Sequence, residues 1–176
     1  MRNLPLSAVY RLIEPGPVVL LSTTRFGRAN LMTMSWPMMI EFEPPQIACV
    51  VSDGNFSYKA LRATRECVIA IPPVSLARKA VAIGNCHGDT VDKFSRFRLT
   101  PVAAAKVRPP LVKECLANLE CRVIDTSLIR KYGFFILVVV KAWHDPRQKA
   151  AKMFHHRGYG EFAFDGRIVR LPSKMR

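Results

Sequence analysis

A chain of 176 residues suits a single domain, 1–176, and is long enough to bury a substantial core. Hydrophobic residues make up 49% of it, which excludes a disordered chain, and the longest apolar run, Phe134 to Val140, is seven residues. A membrane-spanning helix needs roughly 20, so no membrane partner is expected. The net charge of +14, from 27 Lys and Arg against 13 Asp and Glu, attracts anions: nucleic acid, anionic lipid or phosphorylated small molecules. These basic residues are scattered singly. Their densest grouping is Arg147, Lys149 and Lys152, with Arg157 farther on, so most read as a solvated basic surface.

The N-terminal stretch carries Arg11 and Glu14 and runs into Pro15-Gly16-Pro17, a pattern of neither a secretory nor a transit peptide. A soluble, cytoplasmic protein is expected. Val18 to Thr24 reads as a buried strand, Arg25 to Arg28 as a hairpin turn, and Ala29 to Met39 as a second strand. Glu41 to Pro45 breaks the pattern, because proline cannot donate to a ladder. Gln46 to Ser52 is a third strand, followed by a turn at Asp53-Gly54-Asn55 and a helix over Ser57 to Arg65. Cys67 to Ile71 is a fourth strand, ended by Pro72-Pro73, and Leu76 to Ile83 a second short helix. Gly88 to Leu99 suggests a short helix and loop. Leu116 to Ile124 and Tyr132 to Trp143 are strands, the latter the strongest and expected to be central. A last short strand is expected near Gly166 to Leu171. Short returns between strands argue antiparallel pairing in a barrel or sandwich.

The five cysteines are odd in number and contain no CxxC pair. Cys49 and Cys67 sit in apolar runs as small hydrophobes. Cys86, His87, His144, His155 and His156 have no metal-ligand spacing, so no metal is expected. Dinucleotide, Walker and nucleophile-elbow signatures are all missing.

The stretch from Asn30 to Pro45, NLMTMSWPMMIEFEPP, is more informative. In a strand, Asn30, Met32, Met34 and Trp36 face one way while Leu31, Thr33 and Ser35 face the other. The plain reading is a strand with Met and Trp in the core and hydroxyls in solvent. After the next strand, however, Ser52, Asn55, Ser57, Tyr58 and Lys59 gather at a helix start, a ready anion site. An apolar platform near an anion site describes a phosphorylated aromatic cofactor.

Asn30 to Pro37, Glu43-Pro44-Pro45, Ser57 leading a helix into Glu66 to Pro72, Asp92-Lys93-Phe94, Leu99 to Pro101, Leu119 to Cys121 and His156 to Phe162 together resemble the flavin reductase-like, FMN-binding split-barrel family, closest to its flavoredoxin-like branch. The resemblance covers nearly the whole chain through the order and spacing of its motifs. It implies a mainly β fold, a six-stranded antiparallel Greek-key split barrel with short peripheral helices, paired as a homodimer with FMN near the interface. By this resemblance Asn30, Thr33, Met34, Ser35 and Trp36 contact the flavin; Ser52, Phe56, Ser57 and Tyr58 belong to the phosphate and ribityl region. Lys93 lies near the flavin, and Phe162 or Phe164 belongs to a closing segment. Relatives often carry Gly-His-His where this chain has Lys131-Tyr132-Gly133, so Tyr132 replaces that histidine or its role is absent.

The expected function is therefore an FMN-binding oxidoreductase, an NAD(P)H-dependent flavin reductase or a flavoredoxin-like electron carrier. NADH or NADPH would be the transient donor, and free flavin or a redox partner protein the acceptor. The alternative is a basic β-barrel binding nucleic acid without flavin, with Phe26, Tyr58, Phe134 and Phe135 as stacking residues.

Overall fold

The computed structural model describes residues 16–148 and 151–172. The readings made on Arg11, Glu14 and Lys149 lie outside them. Strands β1 (Val19–Arg25) and β2 (Arg28–Met34) form the expected hairpin, in register from Val19 opposite Met34 to Arg25 opposite Arg28. A two-residue turn that follows the strands' twist needs positive φ at both positions. Phe26 (φ 51°) and Gly27 (φ 74°) supply it.

The strand expected over Ala29 to Met39 is two strands. The chain leaves the ladder at Ser35-Trp36 and resumes as β3 (Pro37–Phe42), paired with β4 (Pro45–Val50). Pro37, which has no N–H to continue a ladder, marks the crossing. The break expected over Glu41 to Pro45 narrows to Glu43-Pro44, because Glu41 pairs with Gln46 and Phe42 with Pro45.

Helix α1 (Phe56–Thr64) ends at Arg65, whose left-handed conformation lets its N–H bond Leu61 O. Then come β5 (Glu66–Ile71), a 3-10 turn (Val74–Leu76), α2 (Ala77–Gly84) and the single-turn α3 (Lys93–Arg96), capped by Asp92. Short β6 (Pro101–Val102) and β7 (Leu111–Val112) pair with each other. Strands β8 (Ala117–Asp125) and β9 (Phe134–His144) flank one turn of helix, α4 (Ile129–Tyr132). The chain closes with the pair β10 (Phe154–His156) and β11 (Phe162–Phe164). The strand expected near Gly166 to Leu171 is absent: those residues are irregular, with Ile168 and Leu171 exposed and no partner strand to cover them.

The main sheet is antiparallel, with seven strands in the order β2-β1-β5-β8-β9-β4-β3. Its two edge strands are consecutive in sequence. Only Ser35 and Trp36 separate Met34 from Pro37, and three extended residues reach about 10 Å. The sheet must therefore curl until its edges approach, and no ladder between β2 and β3 closes it. A mainly β barrel split along one seam results, with β9 in the interior of the sheet as expected. The seventh strand is the cost-free outcome of cutting the expected second strand in two.

Alternation on β1 assigns the layers. Val19 and Leu21 point into the barrel with Met34, Ile47, Cys49, Leu61, Cys67, Ile69, Cys121, Val123, Phe135 and Leu137. Val18 and Leu20 point outward, beneath Ala80 and Ile83 of α2, Phe94 of α3 and Phe154 of β10. A third cluster joins Val68 to Val107 and Leu111. Each fully buried aliphatic or phenyl side chain contributes about 1.5–3 kcal/mol. Burial of Cys49, Cys67 and Cys121 inside the barrel bears out the reading of Cys49 and Cys67 as hydrophobes. Desolvation pushes the Cys49 thiol up to about 12.

Candidate functional site

Edge strand β2 has no ladder on its outer side, so residues from both of its faces can border one space. A cleft of about 360 Å³ lies there, walled by β2, the start of α1, and the loop from Gly84 to Gly88 that follows α2. Asn30, Thr33, Phe56, Ser57 and Lys93, five of the ten expected site residues, line it together with Met32. Its size falls within the range of about 300–1,000 Å³ typical of small-molecule sites.

The floor is a polar chain. Asn30 Nδ2 donates to Ser57 Oγ at 3.0 Å, and Thr23 Oγ1 donates to the same oxygen at 3.4 Å. With two donors converging on its oxygen, Ser57 has its own proton available to an acceptor in the cleft. Asn30 is 3% exposed, yet its Oδ1 is buried with no hydrogen-bond partner. A buried orphan acceptor costs about 1–3 kcal/mol, which a donor arriving in the cleft would recover. Gly88 packs against this amide: a Cβ there would sit 2.4 Å from Asn30 Oδ1 and 2.7 Å from Phe56 Cδ1. Only glycine lets the loop come this close.

Lys93 is 4% exposed and donates to Ile83 O at 2.9 Å. Burial pushes its ammonium below the ordinary lysine value, while the adjacent Cys86 favours the charged form. A cation this deep beside a cleft is costly unless something anionic shares the space. Thr33 Oγ1 donates to Ala80 O at 2.5 Å, fastening α2 against β2. Helix α1 begins at the cleft wall without a side-chain cap, since the Asn55 amide donates back to Ser52 O at 3.3 Å. Phe56 stands edge-on to His87, ring centroids 5.8 Å apart.

The remaining expected residues are placed elsewhere. Trp36, Ser52 and Tyr58 border a second cleft of about 390 Å³, with Arg130, Lys131, Tyr132 and Gly133. The two clefts flank the same segment, 52–57. Trp36 and Tyr132 are 55% and 54% exposed, whereas Tyr58 is buried against Phe135. Met34 belongs to the barrel interior, and Ser35 to the crossing between β2 and β3. Phe162 packs on Phe154, and neither Phe162 nor Phe164 lines either cleft. The loop from Asn85 to Gly88 had no part in the sequence-based site. The helix stop at Gly84-Asn85 with a second glycine four residues on was the available signal.

The stacking quartet of the nucleic-acid alternative does not assemble. Phe135 and Tyr58 are buried, Phe134 is half-buried in the sheet, and Phe26 alone stands exposed, at 91%. No group of three or more His, Cys, Asp or Glu arranged to hold a metal occurs among the described residues.

An apolar wall from Met32 and Phe56, an unfilled amide acceptor, a hydroxyl donor and a buried cation fit a cofactor with an aromatic ring, hydroxyls and an anionic group. Residues 10–163 match the model of the flavin reductase like domain. An uncharacterized protein of Escherichia coli (strain K12), YddH, is 32% identical over 173 residues, covering 90% of this chain and 92% of its own. The crystal structure of an FMN-binding domain of a flavin reductases-like enzyme from Shewanella baltica OS155 superposes with a TM-score of 0.82 at 24% identity, covering 97% of both chains. Flavoredoxin of Desulfovibrio vulgaris (Miyazaki F) gives 0.82 at 22%, covering 99% of this chain and 95% of that one. At such identities the structural likeness speaks for the fold.

Proposed function

The chain belongs to the flavin reductase-like family, and from that premise we propose that it is an FMN-binding oxidoreductase that takes a hydride from NADH or NADPH. Its electrons go on to free flavin or to a redox partner protein. The observation that carries this reading is the cleft floor, where a buried amide oxygen without a partner lies in the same cleft as a buried lysine. A merely structural asparagine would have both edges of its amide satisfied.

Asn30 and Ser57 would hold the polar groups of FMN, Phe56 and Met32 its apolar surface. Lys93 and the uncapped start of α1 would hold negative charge. FMN, once bound, supplies the hydride and electron exchange that no side chain of the cleft could carry out. Lys93 favours negative charge in the cleft without moving, because its ammonium is already fixed on Ile83 O. Gly88 packs closely against the Asn30 amide and the Phe56 ring, which would hold both in place for the cofactor. In the second cleft Tyr132, in place of the histidine common among relatives, stands with Arg130 and Lys131 where a phosphorylated donor would be received.

We place the homodimer contact on β3. Trp36, Met38, Met39, Ile40 and Phe42 are all exposed along one edge hairpin, a concentration of apolar surface unusual for a face in water. No described helix is long and apolar enough to cross a membrane; the cytoplasm is the proposed compartment.

A visible spectrum of the purified protein, followed by anaerobic addition of NADH and separately NADPH, tests the reading. Flavin bands that bleach within seconds are expected and name the donor. Persistent bands would instead assign a carrier reduced by another protein. No bands, even after FMN is added and the excess washed away, would overturn the flavin assignment.

A further inference from the structure

The cofactor cleft contains one group that flavin binding does not require. Of the five cysteines, Cys49, Cys67, Cys115 and Cys121 are buried, and Cys86 alone is partly accessible. It lies in the wall of the cleft, in the loop between Gly84 and Gly88. Its thiol donates to Ile83 O at 3.6 Å, and Lys93 Nζ donates to that same carbonyl at 2.9 Å. Sharing one acceptor sets the sulfur beside the buried Lys93 side chain, in the wall of a cleft that a small disulfide can enter. A second observation shows that this is a ligand's space: the partnerless Oδ1 of buried Asn30 borders the same cleft.

We propose that Cys86 is a thiol-modification site that closes the cofactor cleft. The Cys86 thiolate attacks one sulfur of a low-molecular-weight disulfide. A protein–S–S–R bond forms as the R–S–S–R bond breaks, and the departing R–S⁻ takes up a proton from water. The disulfide is the oxidant; a free thiol reverses the exchange by the same route. A tripeptide-sized or aromatic R group fills much of a cleft of about 360 Å³, so the mixed disulfide and FMN exclude each other. The four other thiols are withheld by burial, which makes the modification single. Closure of the cleft rests on the proposed FMN site, whereas reactivity of Cys86 does not.

The flavin-free protein is treated with 5,5′-dithiobis(2-nitrobenzoate), and the released aromatic thiolate is followed with time. One fast equivalent is expected, mapped to Cys86 by mass spectrometry of the digested protein and lost in Cys86→Ser. With FMN at about ten times its Kd, roughly a tenth of the clefts stay open, so labelling slows about tenfold. Labelled protein passed through a desalting column retains no yellow FMN and regains it after dithiothreitol. A fast equivalent that maps to another cysteine, or that persists in Cys86→Ser, overturns the assignment of the site. Labelled protein that retains FMN as well as the unlabelled overturns the closure. Unlabelled protein that retains no FMN overturns the flavin reading and the closure with it, and the mapped label still reports separately on Cys86.

Discussion

Asn30 enters the cleft with one edge of its amide bound to Ser57 and the other edge bound to nothing. A residue selected for stability alone would not leave that acceptor buried and empty. Asn30→Leu removes one hydrogen bond and one orphaned acceptor together, so the melting temperature of flavin-free protein should stay within a few degrees of wild type. Its FMN dissociation constant should rise about tenfold, the equivalent of one net hydrogen bond to a desolvated partner. Fluorescence titration of FMN reads the second effect, and a large loss of melting temperature without loss of affinity would make Asn30 structural. Gly88→Ala tests the same contact from the other side. Its Cβ would collide with the Asn30 amide and Phe56 ring, so FMN retention should fall at least as far.

At the level of elements, Glu120 fastens the segment after β6 to the centre of the sheet. Its fully buried carboxylate on β8 accepts from the Trp143 indole at 2.7 Å, from Ala105 N at 3.0 Å, and from Lys106 N. Burial pushes its pKa up, but these donors outweigh burial and hold it below the ordinary glutamate value. A carboxyl whose folded value is depressed stabilises fully above its unfolded value, and loses that contribution as pH falls through the folded one. Glu120→Gln should therefore cost about 1.5–3 kcal/mol at pH 7, and the gap to wild type should shrink in urea titrations at pH 4 and below. A gap that is constant with pH would mean that packing, not charge, is what Glu120 provides. The β3 hairpin carries the other prediction at this scale. Met39→Glu places a charge amid Met38, Ile40 and Phe42, and light scattering should then report a monomer where wild type is a dimer. A wild type that is already monomeric would remove β3 as the interface.

For the molecule as a whole, the charge of +14 comes from basic residues scattered singly along the sequence. Spread over a small barrel, such charge draws anions to the surface, and FMN and NADPH are both anions. The bimolecular rate of reduction by NADPH should fall about tenfold or more between low and high salt, measured by stopped flow at fixed FMN occupancy. A rate insensitive to ionic strength would separate the charge from the chemistry. Much of this architecture was legible in the chain itself. Short apolar runs bounded by turn residues located β1, β4, β5, β8 and β9, because that signal is local. Turn chemistry placed the Arg25–Arg28 hairpin, and family motifs brought Asn30, Thr33, Phe56, Ser57 and Lys93 onto one list. Local pattern could not show that Ala29 to Met39 is two strands at opposite edges of one sheet, since both halves read equally well as strand. Nor could it show that Trp36, Ser52 and Tyr58 border a different cleft from Ser57, or that Asn30 and Thr33, on opposite faces of one strand, border the same one. Those outcomes depend on how a sheet curls and which of its edges stays open, and only contacts between residues far apart in the sequence decide that.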